Sequence, residues 1–296
     1  MRDQAEKLRQ IVQNSRESPS TPVIKQAYNG SSPRVITVTS GKGGVGKTNF
    51  TVNLALTLGN MGQQVLVIDA DLGMANVDVV LGCSAPYSIL NLLEDRFSVD
   101  DVVSDGPCGI KFMTGGSGIY QLANLSNVQL QRIINQITLF DNWADFVLID
   151  TGAGINRNVL NFVMAADEVI ILTTPEPTAI TDAYAMMKAY AGNGGAAPLS
   201  LVVNRVQDAG EGQMVVDKLN KATFRFLGFS VNSLGFVNED PAVVKAVKKQ
   251  VPFILSYPQA ASTRCIENIA RKLLHGEALP ETKGFRGFMS RMLQSW

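Results

Sequence analysis

The sequence predicts an α/β fold: a doubly wound, mainly parallel sheet of about seven strands with helices on both faces. Three observations lead there. Short apolar runs rich in β-branched residues alternate along the chain with stretches of helical spacing. A glycine-rich loop, GKGGVGKT (Gly41–Thr48), stands directly between the first such run and the first helical stretch. The chain of 296 residues is 46% apolar and holds 26 glycines, enough for one large packed domain of this class.

In order, the strand candidates are VITVTS (Val35–Ser40), VLVID (Val65–Asp69), IKFMT (Ile110–Thr114), FVLID (Phe146–Asp150), EVIILTT (Glu168–Thr174), SLVVN (Ser200–Asn204) and VNSLGFV (Val231–Val237). Most are continuously apolar, as strands buried on both faces must be. Helical spacing fills Asn49–Leu58, Val128–Phe140, Ala179–Tyr190 and Met214–Phe226. A ligand of such a sheet is expected outside the carboxyl ends of its strands.

Two ends differ from this body. Residues 2–14 carry Ala5, Leu8, Ile11 and Val12 among charges, the spacing of a short amphipathic helix. Residues 15–32 turn to Ser, Pro, Asn and Gly, and Pro19, Pro22 and Pro33 discourage helix across a flexible tether. The organisation expected is therefore an N-terminal helix (1–14), a linker (15–33), a large α/β domain (34–278) and a C-terminal helix (279–296).

Composition narrows the function classes. Lys plus Arg and Asp plus Glu number 26 each, so no excess of positive charge favours broad nucleic-acid binding, and direct DNA binding is not expected. Cys83, Cys108 and Cys265 are scattered, without the paired spacing of a disulfide framework, a zinc site or an iron–sulfur carrier. The charged start MRDQAEKLRQ lacks the apolar core of a secretory signal, and no apolar run spans a bilayer. The expectation is a cytoplasmic protein, at most peripheral on a membrane.

The loop carries the chemistry. Its spacing is that of a phosphate-binding loop, in which successive backbone N–H groups face the phosphates at the positive end of the following helix. The contacts expected are Gly41, Lys42, Gly43, Gly44, Val45, Gly46, Lys47, Thr48 and Asn49, with Lys47 on the β- and γ-phosphates and the Thr48 hydroxyl on Mg²⁺. Asp69 and Asp71 follow the second strand, and Asp150 closes FVLID. Carboxylates at strand ends beside such a loop can hold Mg²⁺ and orient an attacking water, so ATP with Mg²⁺ is the cofactor expected.

Lys42, the second residue of the loop, makes it the deviant form, and from roughly Arg34 to His275 the chain resembles the MinD/ParA family of ATPases. That resemblance implies a MinD-like P-loop fold in which Lys42 reaches across a homodimer to the partner's phosphates. It also implies that Asp71 positions the hydrolytic water and that Asp69 and Asp150 lie near Mg²⁺. Asn204, followed by Arg205, matches the adenine contact, and Val237, Glu239 and Asp240 in FVNEDPAVV match the loop over the base. The segment NEDPAV reads equally well as a helix start, an N-cap residue followed by proline. A lysine shared across the dimer would make ATP a dimerisation ligand, with slow, partner-regulated hydrolysis releasing the dimer. The lone His275 ends the penultimate helix and is assigned no catalysis.

After Pro280, Phe285, Phe288, Met289, Met292, Leu293 and Trp296 share an arc of about 140°, with Lys283, Arg286 and Arg291 outside it. Bulky aromatics on one face with cations elsewhere point to a helix lying in a membrane interface. A terminal helix docked on its own domain, or on a partner, would show the same stripe. At the other end, DQAEKLR matches through Asp3, Gln4, Ala5, Leu8 and Arg9 the activator motif of the flagellar-number branch of the family, FlhG (FleN). The stretch DADLGMANVDVVLG (Asp69–Gly82) is similar to that branch too. The resemblance implies as partners the FlhF GTPase and, in some members, a flagellar transcriptional activator and flagellar switch proteins. A division-site MinD has the same engine and tail but starts almost at the first strand, and a ParA-type DNA-segregation ATPase needs a basic surface. A metabolic P-loop enzyme would need a substrate constellation that the sequence does not show.

Overall fold

The computed structural model describes residues 32–71, 76–115, 125–275 and 282–294. Asp3, Gln4, Ala5, Leu8, Arg9 and Trp296 lie outside the described residues, as does most of the linker.

Eight strands form one sheet: β1 (Arg34–Ser40), β2 (Val65–Ala70), β3 (Ser104–Asp105), β4 (Lys111–Thr114), β5 (Phe146–Ala153), β6 (Glu168–Thr173), β7 (Leu199–Val206) and β8 (Asn232–Asn238). Their order is β3-β4-β2-β5-β1-β6-β7-β8, and every pairing is parallel except β3 with β4. The sequence reading missed only β3, a two-residue edge strand too short to carry a period. The central strands β1, β2, β5 and β6 are buried almost throughout, which is why their sequences run apolar without alternation.

Helices α1 (Lys47–Asn60), α2 (Val77–Leu81), α8 (Pro241–Lys249), α9 (Phe253–Ser256) and α10 (Ala261–His275) cover one face. There Leu54, Leu58 and Ile269 meet Ile36, Val67 and Leu148 of the sheet. Helices α4 (Asn127–Ile137), α5 (Arg157–Ala165), α6 (Pro177–Gly192) and α7 (Ala209–Leu227) cover the other face; the one-turn α3 (Val99–Val102) sits near the β3 edge. The period-2 alternation of strand side chains divides each strand between the two cores.

The last helix, α11 (Gly284–Gln294), changes the reading of the C-terminus. Phe285, Phe288, Met289 and Met292 are buried in the second core, against α4, α5 and β1, and none of the four faces solvent. Phe288 stacks on Phe162 with centroids 6.3 Å apart and on Phe285 at 5.9 Å. Polar contacts fix the helix at both ends. Asp141 accepts hydrogen bonds from the Phe285 and Arg286 amides at 2.6 and 3.2 Å, while Arg291 pairs with Asp167 at 2.8 Å and donates to the Ala165 carbonyl. Four of the six residues expected to meet a membrane, Phe285, Phe288, Met289 and Met292, are thus the seam by which the helix joins its own domain. The physical reason is that a core and an acyl layer select the same apolar stripe. Among the described residues no helix is long and apolar enough to cross a membrane.

Candidate functional site

The site forms where β1, β2, β5, β6 and β7 end. β1 delivers the chain into the loop, and α1 starts at Lys47. Gly44 and Gly46 take φ of 78° and 98°, the left-handed region where a side chain would strain the turn. A Cβ on Gly46 would also collide with the Asn204 amide nitrogen at 2.6 Å. That amide donates to the Val45 carbonyl at 2.8 Å, and Arg205, itself at φ 58°, donates to the Gly44 carbonyl at 2.9 Å. The end of β7 therefore braces the loop from behind. Gly41, Gly43 and Asn49 complete the loop and the first turn, which remain half open to solvent or exposed.

Lys47 is buried, its ammonium 3.0 Å from the Ser40 hydroxyl. Burial holds its pKa below the usual lysine value, while the nearby Asp150 and Asp71 carboxylates pull it back up. Parallel register sets Asp69 of β2 beside Asp150 of β5. Asp150 accepts from the Thr48 hydroxyl at 2.6 Å and the Thr51 hydroxyl at 3.3 Å. Its pKa is pushed up to about 7, first by burial, with the Thr48 bond opposing and the neighbouring Asp69 adding.

Asp69 is fully buried and is raised by the same desolvation, but its oxygens are already engaged. One accepts the Asp71 amide at 3.0 Å; the other accepts the Asn76 and Val77 amides at 2.7 and 3.0 Å. It ties the residue that follows β2 to the start of α2, a scaffold role that the sequence reading, which placed it only near Mg²⁺, did not foresee. Asp71 comes to the opposite lip, its carboxylate close to Gly152 at the end of β5.

Lys42 stands apart from Lys47. Its ammonium is exposed and pairs with Glu176 at 2.7 Å and the Thr178 hydroxyl at 2.8 Å, both at the start of α6. Glu176 and Thr178 were missed in the sequence; the available signal was TTPEPT, which leaves β6 next to β1. Beyond the ends of β7 and β8, Glu239 accepts from the Gln207 side-chain amide at 2.7 Å. Asp240 is the N-cap of α8, accepting the Ala242 amide at 2.8 Å, and also holds Ser262. Val237 turns its side chain into the core at 4% exposure, as the strand pleat directs, which leaves its backbone as the part that could meet a base.

The donor set is hard oxygen (Thr48, Asp150, Asp69 and Asp71), which suits Mg²⁺ bound partly through phosphate and water. Among the described residues no cluster of three or more His, Cys, Asp or Glu could hold a metal by itself, and the three cysteines are free and separate. Lys47, the loop amides and Thr48 would hold the phosphates and cation. A bound cation would supply charge neutralisation at the phosphates, and Asp150 would meet it as the carboxylate.

A sheet of this order, a glycine loop running into the first helix and carboxylates at the neighbouring strand ends define a P-loop nucleotide hydrolase. The chain belongs to the ParA family of P-loop NTPases, whose family description reads "NUBPL iron-transfer P-loop NTPase" and which it matches over residues 32–274; it is an ATPase. It is 37% identical to the antiactivator FleN of Pseudomonas aeruginosa over 88% of this chain and 94% of that protein. It is 32% identical to the flagellum site-determining protein YlxH of Helicobacter pylori, over 88% and 90% respectively. Its fold matches the septum site-determining protein MinD of Pyrococcus horikoshii complexed with Mg-ADP, with TM-score 0.65, 24% identity and coverage of 82% and 98%.

Proposed function

We propose that this ATPase is a membrane-associated dimer switch that sets flagellar number or placement. The observation that carries the switch is Lys42. Its ammonium lies at the surface, held by Glu176 and Thr178, whereas the Lys47 ammonium is buried against Ser40. A lysine placed there is free to exchange an exposed ion pair for the γ-phosphate of a second copy, a small cost set against a charge-assisted contact. ATP with Mg²⁺ would then be the assembling ligand, Asp71 would orient the attacking water, and hydrolysis would return Lys42 to Glu176. Asn204, Arg205, Glu239 and Asp240 would frame the base.

The flagellar role rests on similarity to FleN and YlxH and on Asp3, Gln4, Ala5, Leu8 and Arg9, which would engage the FlhF GTPase. A flagellar transcriptional activator and the switch proteins are further candidate partners. Membrane attachment requires α11 to leave its seat, so that Phe285, Phe288, Met289, Met292, Leu293 and Trp296 can meet lipid. Two such helices in one dimer would bind at high effective concentration.

The experiment is light scattering of the full chain with a non-hydrolysable ATP analogue and Mg²⁺, beside sedimentation with anionic vesicles. A dimer that needs ATP and is lost in Lys42→Ala is the expected result, and a Lys42→Ala protein that still dimerises would overturn the switch. Stimulation of the FlhF GTPase by a peptide of residues 1–14, abolished when Gln4 is changed, tests the flagellar assignment separately.

A further inference from the structure

Helix α8 buries Ala246 in the core with Val243 packed beside it. A second apolar stripe faces away from that core. Val244 and Val247 stand one turn apart on the helix, and Val251 follows just past its left-handed cap Gln250; the three are 57%, 47% and 39% exposed. Val79 of α2, 45% exposed, lies one turn before Gly82, which packs against the carbonyl oxygen of Gln250 and so brings the ends of α2 and α8 together. Exposed Lys245, Lys248 and Lys249 occupy the next arc of the helix, about 100° wide. A helix needed only to cover α1 would carry polar residues at 244 and 247. Four exposed valines grouped beside three lysines are instead the composition of a docking surface.

Both halves of this surface hang from the nucleotide site. The first amides of α2, those of Asn76 and Val77, are held by the Asp69 carboxylate. Helix α8 is capped by Asp240, directly after the segment that frames the base. A shift of either carboxylate on nucleotide exchange would move one half of the ridge against the other at the Gly82–Gln250 contact.

We propose that the ridge of Val79, Val244, Val247 and Val251 docks an acidic amphipathic helix of a partner protein, with an affinity that depends on the bound nucleotide. Val244 and Val247 on one helix face, extended by Val251 past its end, are matched by the apolar stripe of a second helix. The flanking lysines select carboxylates on it. A nucleic-acid duplex would satisfy the lysines and leave the valines uncovered. A membrane engaged by α11 would lie against the opposite face of the sheet from α8. The proposal needs only the nucleotide site and is independent of the dimer and flagellar readings.

The test uses a fluorescein-labelled 18-residue designed helix with leucines at i, i+3 and i+7 and flanking glutamates, with a lysine-for-glutamate counterpart as control. Anisotropy is read against the full chain in Mg-ADP and in Mg²⁺ with a non-hydrolysable ATP analogue. The expected result is binding of the acidic helix only, with an affinity differing about fivefold between nucleotides. It should weaken at least about tenfold in Val247→Asp and in Lys245→Gln/Lys248→Gln, both of which change exposed positions and leave the Lys249–Tyr257 contact in place. Absence of binding up to about 100 μM, or equal binding of both peptides, overturns the proposal. So does a ridge variant without effect. Loss of self-association in Val247→Asp would assign the ridge to a second copy, and DNA binding lost only in the lysine variant would assign it to nucleic acid. Equal affinity in both nucleotide states overturns the coupling.

Discussion

Truncating Phe288 to alanine distinguishes a seated C-terminal helix from a free one. The Phe288 ring is 1% exposed, stacked between Phe285 and Phe162, and backed by the core under α5. Removing a buried phenylalanine ring costs about 3–5 kcal/mol where the neighbours cannot collapse into the space. Helix α11 offers a way to limit that cost: it can leave its seat, so the loss cannot exceed the free energy of docking. With four fully buried apolar side chains, each contributing roughly 1.5–3 kcal/mol before ordering entropy is subtracted, that ceiling lies near or above the truncation cost. The expected loss is therefore at least about 2 kcal/mol, or roughly 4–8 °C in Tm for a domain of this size. The assay is urea and thermal unfolding of the soluble protein followed by circular dichroism, with exposed Arg286→Ala as the control. A Phe288→Ala protein whose midpoint lies within about 1 kcal/mol of wild type would refute the docked seam. In that case deletion of 285–296 should be equally silent, and vesicle binding would need no release step.

The other predictions concern the nucleotide site. Lys42→Ala should leave the melting curve nearly unchanged, since its partner Glu176 is exposed, while ATP-dependent dimerisation is lost. Asp71→Ala should retain nucleotide binding by fluorescence titration and lose hydrolysis by about 100-fold or more; wild-type turnover in this variant would remove Asp71 from the chemistry. Asp150 gives a pH dependence whose sign is fixed. Its folded pKa of about 7 lies above the reference value of 3.8, so its contribution to the ligand-free fold is fully present below 3.8 and declines as pH rises through about 7. Asp150→Asn should lack this decline and be the more stable protein at pH 8, yet bind Mg²⁺ with nucleotide more weakly. Parallel stability profiles of the two proteins between pH 5 and 8 would contradict the buried-carboxylate account.

The sequence by itself determined the sheet, the loop and the family. Continuous β-branched runs form strands in whatever surroundings bury both faces, and the spacing from Gly41 to Thr48 is dictated by phosphate geometry, so both are local properties. Other features depend on which surfaces meet, which local patterns do not encode. The stripe of Phe285, Phe288, Met289 and Met292 was plain in the sequence, yet whether it faces lipid or core was decided by the gap beside α4 and α5. Val237 matched a base-covering segment, and the pleat of β8 turned it into the core. Asp69 read as a metal-side carboxylate, and its engagement with three backbone amides shows it also as the post from which the following segment hangs. Glu176, 134 residues from Lys42 along the chain, becomes its partner only because β6 lies beside β1. Tertiary structure decides such matters because apolar burial and charge pairing are non-directional along the chain: they register what is adjacent in space.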